Sequence, residues 1–137
     1  MLLKNIFNQT KLLEKALDAA WLRNEVISHN IANADTPGYK KMGVSFEDEL
    51  KSAIDAGGFN GKKTRARHID IGSKSIDEVA PRVFTVESTR TRIDENNVDI
   101  EAEMVERAKN EIYYNALIQK LSMEFQRLSN IINEGRR

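Results

Sequence analysis

The sequence predicts a mainly α-helical chain with two long terminal helices, which pack as a coiled coil or bundle, and a short irregular middle region. Apolar residues recur at alternating spacings of three and four over the first part of the chain and again after Asp99. That period is typical of amphipathic helices with a seam for another helix. Between them, Gly57, Gly58 and Gly61 end a short helical stretch, and only weak strand signals follow. The middle is therefore expected to hold a short helix and at most a small β-hairpin.

The length of 137 residues allows one domain, which we divide into three segments. Residues 1–41 form the N-terminal coiled-coil helix and the turn that ends it. Residues 42–97 form an irregular, partly flexible middle region. Residues 98–137 form the C-terminal coiled-coil helix.

The N-terminal helix carries an apolar seam along one face. Thr10 or Asn8 is its candidate N-cap. Trp21 lies beside the seam, and it either packs within the chain or contacts another subunit, since tryptophan is enriched at binding hot spots. Asn24 interrupts the seam, and it either fixes register or faces solvent. The seam residues expected to make assembly contacts are Leu13, Leu17, Ala20, Ile27 and Ile31.

A turn with a specific backbone conformation ends this helix. Thr36 precedes a proline and is therefore pushed out of the helical region. Pro37 and Gly38 suit the two central positions of a type II turn, because proline pre-sets φ at the first and glycine supplies a positive φ at the second. The residues assigned to the turn are Asn30, Ile31, Ala32, Asn33, Asp35, Thr36, Pro37, Gly38 and Tyr39.

The middle region contains one predicted helix and two candidate strands. Ser45 is the expected N-cap of a helix that continues to Ile54, with acidic residues in its first turn. Residues 68–71 and 83–86 are the candidate strands, and Pro81 interrupts the chain before the second.

The C-terminal helix is expected to begin after Asp99 as N-cap and to end at Gly135. The two terminal helices should pair antiparallel or pack against neighbouring chains. One pair cannot cover all this apolar surface, which favours assembly from several copies. The C-terminal seam residues are Tyr114, Ile118, Leu121, Phe125, Leu128 and Ile132.

Composition argues against an enzyme or a nucleic-acid binder. Lys plus Arg and Asp plus Glu both number 21, and the chain has no cysteine, which excludes disulfides and thiolate metal sites. His29 and His68 lack metal-ligand spacing and are expected to be surface or packing residues. The basic run 62–67 lacks interleaved aromatics and is interpreted as a solvated loop or a contact to an acidic subunit. No catalytic, metal or cofactor-binding residue is expected.

The run N-I-A-N-A-D-T-P-G-Y-K, from Asn30 to Lys40, closely resembles the signature of bacterial flagellar basal-body rod and hook proteins. A second stretch, Asn96 to Met104, resembles the entry to the C-terminal helix of the proximal rod proteins. Residues 113–117 resemble a run within that same helix. The middle is too short for the extra domains of hook and distal-rod proteins.

This resemblance implies a structural subunit of the proximal rod, the drive shaft of the flagellum, most like the member nearest the inner membrane. A sister subunit of the FlgC type and a generic coiled-coil adaptor are the alternatives. The implied partners are FlgC-type and further rod subunits, copies of the chain itself, the adaptor FliE and the flagellar type III export apparatus, with no nucleic acid or small-molecule substrate. The N-terminus shows no apolar core of signal-peptide length. On its own this would indicate a cytoplasmic protein, whereas the resemblance implies a location in the rod on the periplasmic side of the inner membrane, reached without a cleaved signal peptide.

Overall fold

The computed structural model describes residues 2–55, 78–87 and 95–135, and it is mainly α-helical, as predicted. The elements in chain order are α1 (Leu2–Ala32), β1 (Met42–Ser45), α2 (Glu47–Asp55), β2 (Arg82–Thr85) and α3 (Ile100–Glu134). The basic run 62–67, His68 and the candidate strand 68–71 lie outside the described residues.

Helix α1 begins earlier than predicted and ends where predicted. Its first residue is Leu2, so Asn8 and Thr10 lie inside the helix and the N-cap prediction at those residues is wrong. The apolar residues spaced three and four apart already start upstream of them in the sequence, and this periodicity favours a continuous helix over the local preference of a polar residue for a cap. At the other end, the amide of Ala34 donates to the carbonyl of Ile31 at 3.2 Å, a tighter bond that closes the last turn.

The predicted turn is confirmed. The amide of Tyr39 donates to the carbonyl of Thr36 at 3.2 Å, which closes a four-residue turn around Pro37 and Gly38. Gly38 has φ of +72°, the value that a type II turn requires at that position. The chain therefore leaves α1 in a fixed direction and enters β1 three residues later.

The region after the turn corrects one prediction. Ser45 is the last residue of β1 and not a helix N-cap, because β1 pairs antiparallel with β2, with Ser45 opposite Arg82 and Met42 opposite Thr85. The helix starts at Glu47, and its first bond runs from the amide of Leu50 to the carbonyl of Phe46 at 2.9 Å. The strand predicted over 83–86 is confirmed as β2, although its partner is a strand that the sequence did not suggest.

Helix α3 has the predicted boundaries. The carboxylate of Asp99 accepts from the amides of Glu101 at 3.0 Å and Ala102 at 3.3 Å, which makes it the N-cap. The helix ends at Glu134, next to Gly135. Its 35 residues give a rod about 52 Å long.

The two long helices pair antiparallel. Asn30 of α1 bonds Glu103 of α3, whereas Ala20, ten residues earlier in α1, accepts from Asn110, seven residues later in α3. Next to this helix pair, a small core forms between α1, α2, α3 and the segment before β2. Its buried members are Ala16, Ala19, Phe46, Ala53 and Val79, with Leu50 and Leu117 packed against them. The alanines allow the close approach of α3 and Phe46 to α1.

The orientation of α3 about its own axis is notable. The residues that it turns inward are Glu103, Asn110, Leu117 and Glu124, spaced seven apart, and three of them are polar. The apolar residues one position later point outward. Met104 is 50% exposed, Ile118 42%, Phe125 53% and Ile132 66%. The chain therefore buries a largely polar row of α3 and leaves an apolar row at its surface.

Candidate functional site

Asn30 connects four elements of the fold through one buried amide. Its Nδ2 donates to the carbonyl of Met42 at 2.8 Å and to Oε2 of Glu103 at 3.0 Å. Its Oδ1 accepts from the amide of Met42 at 2.9 Å and from the hydroxyl of Tyr39 at 3.2 Å. The full bonding capacity of an amide side chain is used. α1, the turn, β1 and α3 therefore share one fixed geometry.

Glu103 is the charged member of this cluster. Its side chain is 2% exposed, and its Oε1 lies 2.5 Å from Nζ of Lys41. An unpaired carboxylate at this depth would be strongly destabilising, and the ion pair together with the bond from Asn30 offsets that cost. Burial raises the pKa of the Tyr39 phenol, and the negative charge of Glu103 raises it further. We call Asn30, Tyr39, Lys41 and Glu103 the polar cluster.

Asn96 holds the turn from the other side. It is fully buried, and its Nδ2 lies 3.0 Å from the carbonyl of Asn33, 2.9 Å from that of Ala34 and 2.9 Å from that of Thr36. Its Oδ1 accepts from the amide of Val98 at 2.8 Å. These carbonyls follow the end of α1 and have no helical partner. A single side chain thus holds the turn that follows α1 and joins it to the segment before α3.

Asn97 connects the same segment to the sheet. Its Oδ1 accepts from the amide of Lys41 at 2.6 Å, and its Nδ2 donates to the carbonyl of Val86 at 2.7 Å. The amide of Val86 donates to the carbonyl of Lys41 at 2.8 Å. The side chain of Lys40 donates to the carbonyl of Glu95 at 2.6 Å. The turn, both strands and the start of α3 are consequently one hydrogen-bonded unit.

The structure divides the predicted turn residues into two groups. Asn30 is buried, and Ile31, Asn33 and Tyr39 are half-buried. The remaining members are exposed at the tip: Ala32, Asp35, Thr36, Pro37 and Gly38. The first group packs against the rest of the chain, and the second, which includes the central turn residues Pro37 and Gly38, is accessible to another molecule.

The predicted seams are likewise only partly covered. Ala20 and Ile27 are buried in the chain. Ile118, Phe125 and Ile132 are exposed. The half-buried members are Leu13, Leu17, Ile31, Tyr114, Leu121 and Leu128. Trp21 is 61% exposed, which favours the interpretation as a contact to another subunit, and Asn24 faces solvent.

Sequence reasoning missed the residues that bond the turn to α3. In the sequence these residues stand out only as part of the stretch from Asn96 to Met104, which resembles the entry to the C-terminal helix of the proximal rod proteins. The available signal was Glu103, Asn110 and Glu124 at multiples of seven residues, a polar row one position before the apolar seam.

The site has no features of a catalytic or metal centre. Within residues 2–55, 78–87 and 95–135, acidic and histidine side chains form no group of three suited to a metal ion, and His29 is exposed. In those same ranges, none of the helices is both long and apolar enough to cross a membrane. The arrangement is suited to holding a defined backbone shape.

Comparison with known proteins agrees with this structural role. The profile of the family described as "Flagella basal body rod protein" matches residues 13–40, which include Asn30 and the turn. The flagellar basal body rod protein FlgB of Bacillus subtilis (strain 168) is 35% identical over 127 residues, covering 90% of this chain and 92% of the relative. This chain belongs to the FlgB family of flagellar basal body rod proteins.

Two further relatives show the breadth of the FlgB family. FlgB of Borreliella burgdorferi is 34% identical and covers 85% of this chain and 89% of its own length. FlgB of Salmonella typhimurium is 28% identical, and the match covers 89% of this chain and 91% of the relative. The family is structural and not enzymatic, which agrees with the hydrogen-bonded turn and with the expectation that the chain is not an enzyme.

Asn96 offers a direct test of the turn. In Asn96→Asp the carboxylate cannot donate to the three carbonyls and adds charge beside them, so we expect a loss of roughly 3 kcal/mol or more in the free energy of unfolding. Urea unfolding followed by circular dichroism measures this. Asn115→Asp, at an exposed position of α3, is the matched control and should change stability by under about 0.5 kcal/mol. Equal effects of the two changes would contradict the role assigned to Asn96.

Tyr39 offers a pH test. Its pKa is raised in the folded chain, so its contribution to stability is present below the pKa of an unfolded tyrosine and is lost as pH rises through the folded pKa. In a spectrophotometric titration of phenolate absorbance, Tyr39 should ionise in a late phase, at a higher pH than an unfolded tyrosine does. Tyr39→Phe should remove that late phase, whereas Tyr113→Phe should leave it. A late phase that survives in Tyr39→Phe would contradict the assignment.

Proposed function

We propose that this chain is the structural subunit at the base of the flagellar proximal rod, where it assembles with copies and relatives of itself through its terminal helices. The observation that carries this proposal is the 35% identity to a FlgB protein over 90% of the chain. It is supported by the physics of a shaft. A shaft transmits torque through long helices held in a fixed orientation. The polar cluster and Asn96 hold α1 in a fixed orientation relative to the turn and to α3.

The exposed part of the seam is the proposed assembly surface. Ile118, Phe125 and Ile132 are spaced seven apart and exposed along one side of α3. An exposed apolar row of this length on a single chain is typical of a protein-binding surface. The heptad spacing favours another helix as the binding element. The exposed tip of the turn, from Asp35 to Gly38, is a second proposed contact.

The finer proposal concerns partners and location. We assign as partners rod subunits of the FlgC type, the adaptor FliE and the flagellar type III export apparatus, on the resemblance of the turn and of the α3 entry to proximal rod proteins. The assigned location is the rod on the periplasmic side of the inner membrane. The packing of α1 against α3 supports a route without a cleaved signal peptide, because removal of α1 would expose the core around Ala16 and Ala19.

A generic coiled-coil adaptor is the alternative function. It would require the seams, but it would not require a buried amide cluster that fixes the turn between α1 and β1. Deletion of the gene distinguishes the two: loss of a rod subunit abolishes rod, hook and filament, whereas loss of an adaptor leaves some of these structures.

Phe125→Asp tests the assembly surface. Because Phe125 is 53% exposed, the isolated chain should keep its helical circular dichroism spectrum. The charge would be buried in the assembled rod, at a cost of several kcal/mol. We therefore expect cells that carry this variant to lose swimming and intact basal bodies, measured by motility in soft agar and electron microscopy of purified basal bodies.

Gln126→Asp is the matched control, since it places the same charge at the next, exposed position of α3. It should swim like the parent. Normal motility of Phe125→Asp, or equal impairment by Gln126→Asp, would remove the exposed seam from the proposal.

A further inference from the structure

Two residues of opposite charge, Arg107 and Glu111, interrupt the apolar surface of α3 within about one helical turn of each other. Two rows of residues spaced seven apart form this surface. The first row comprises Ile100, Arg107, Tyr114, Leu121 and Leu128, and the second comprises Met104, Glu111, Ile118, Phe125 and Ile132. Each row has one charged member, and the two charges are four residues apart, about 6 Å along the helix axis. Polar residues at single seam positions determine which register two helices adopt.

Near these two charges, polar groups of α3 lack a partner in the described part of the chain. In the part of the chain that the structure describes, neither Arg107 nor Glu111 has an ion-pair partner, and both are exposed. Asn110 is 5% exposed, and its Nδ2 donates to the carbonyl of Ala20 at 2.8 Å. Its Oδ1 is buried without a hydrogen-bond partner. An unpartnered buried acceptor is costly in a finished structure.

These groups surround a cleft of about 360 Å³ between α1 and α3. Trp21 forms its exposed aromatic wall on α1, and Tyr114 lies opposite on α3. Aromatic side chains of this kind are enriched at the centres of protein interfaces. The remaining lining residues are Ala20, Asn24, Arg107, Asn110 and Glu111. The cleft therefore combines an apolar wall, an unmet acceptor and two unpaired charges of opposite sign.

We propose that this cleft is the docking site for α3 of a second copy of the chain, with Arg107 of one copy paired to Glu111 of the next. The proposal rests on the proposed function and names the contact that sets the register between copies. A second copy is the occupant because the cleft presents both Arg107 and Glu111. The arginine of each copy therefore meets an oppositely charged residue on the other.

Charge reversal followed by charge exchange tests the pairing. Arg107→Glu alone places two carboxylates opposite each other, and Glu111→Arg alone places two guanidinium groups opposite each other. We expect each single variant to reduce the number of assembled basal bodies per cell by at least about tenfold. The double variant Arg107→Glu/Glu111→Arg restores opposite charges between copies and should recover parental numbers. Arg127→Glu, a reversal at an exposed α3 position outside both rows, should have no effect.

Each remaining outcome overturns the inference. Parental assembly in both single variants would show that the charges do not face each other between copies. Failure of the double variant, with a parental circular dichroism spectrum, would show that the cleft receives a partner with different charges. Failure of the unaltered chain to restore basal bodies in a deletion strain would overturn the proposed function and this inference with it.

Cross-linking identifies the occupant independently, because the chain has no cysteine of its own. Two differently tagged chains are co-expressed, one with Asn24→Cys, in the lining of the cleft, and the other with Ala108→Cys, at an exposed α3 position beside the unaltered Arg107 and Glu111. Mild oxidant is then applied to purified basal bodies. A product that carries both tags supports a second copy in the cleft. Cross-links only to a different protein, or none in intact basal bodies, contradict it.

Discussion

The hydrogen bond between Asn30 and Glu103 is the constraint on which the rest of the structure depends. It joins α1 to α3 at the point where α1 ends, and it fixes the rotation of α3 about its own axis. A buried carboxylate tolerates few positions, since it must keep both the amide of Asn30 and the ammonium group of Lys41. Once Glu103 faces inward, the seven-residue spacing brings Asn110, Leu117 and Glu124 to the same side.

This rotation explains how a polar chain exposes the apolar row that we propose as its assembly surface. If the apolar row of α3 faced α1, more apolar surface would be buried within the single chain. Little of it would remain exposed for contacts with neighbouring subunits. With the polar row inward, Ile118, Phe125 and Ile132 remain outside. Part of the stability of the single chain is thereby exchanged for contacts that only an assembly makes. Polar groups inside helix pairs are known to select one geometry at a cost in stability.

The turn completes this arrangement. Gly38 supplies the backbone conformation, and Asn96 and Asn97 hold the turn and the strands from the segment before α3. The direction in which the chain leaves α1 is therefore coupled to the place where α3 begins. This coupling holds α1, the strand pair and the start of α3 in one arrangement.

The sequence predicted the parts of the fold that depend on local rules. The boundaries of α3, the end of α1 and the type II turn follow from Asp99, Gly135 and the Pro37–Gly38 pair, whose conformational preferences act over a few residues. Strand β1 and the start of α2 were not predicted, because Ser45 satisfies the rules for an N-cap and its pairing with Arg82 is a contact distant in sequence. The polar cluster was missed for the same reason. Asn30 and Glu103 are 73 residues apart, and no local pattern connects them.

Cysteine labelling at two adjacent positions of α3 tests the rotation most directly, in a chain that has no native cysteine. In dilute protein, Ile118→Cys should react with a thiol reagent almost as fast as an unfolded peptide does. Leu117→Cys, which packs against Ala16 and Ala19, should react at least about tenfold more slowly, because reaction there requires the helices to open. Slow labelling at position 118 with fast labelling at position 117 would contradict the account, since it would mean that the apolar row faces α1.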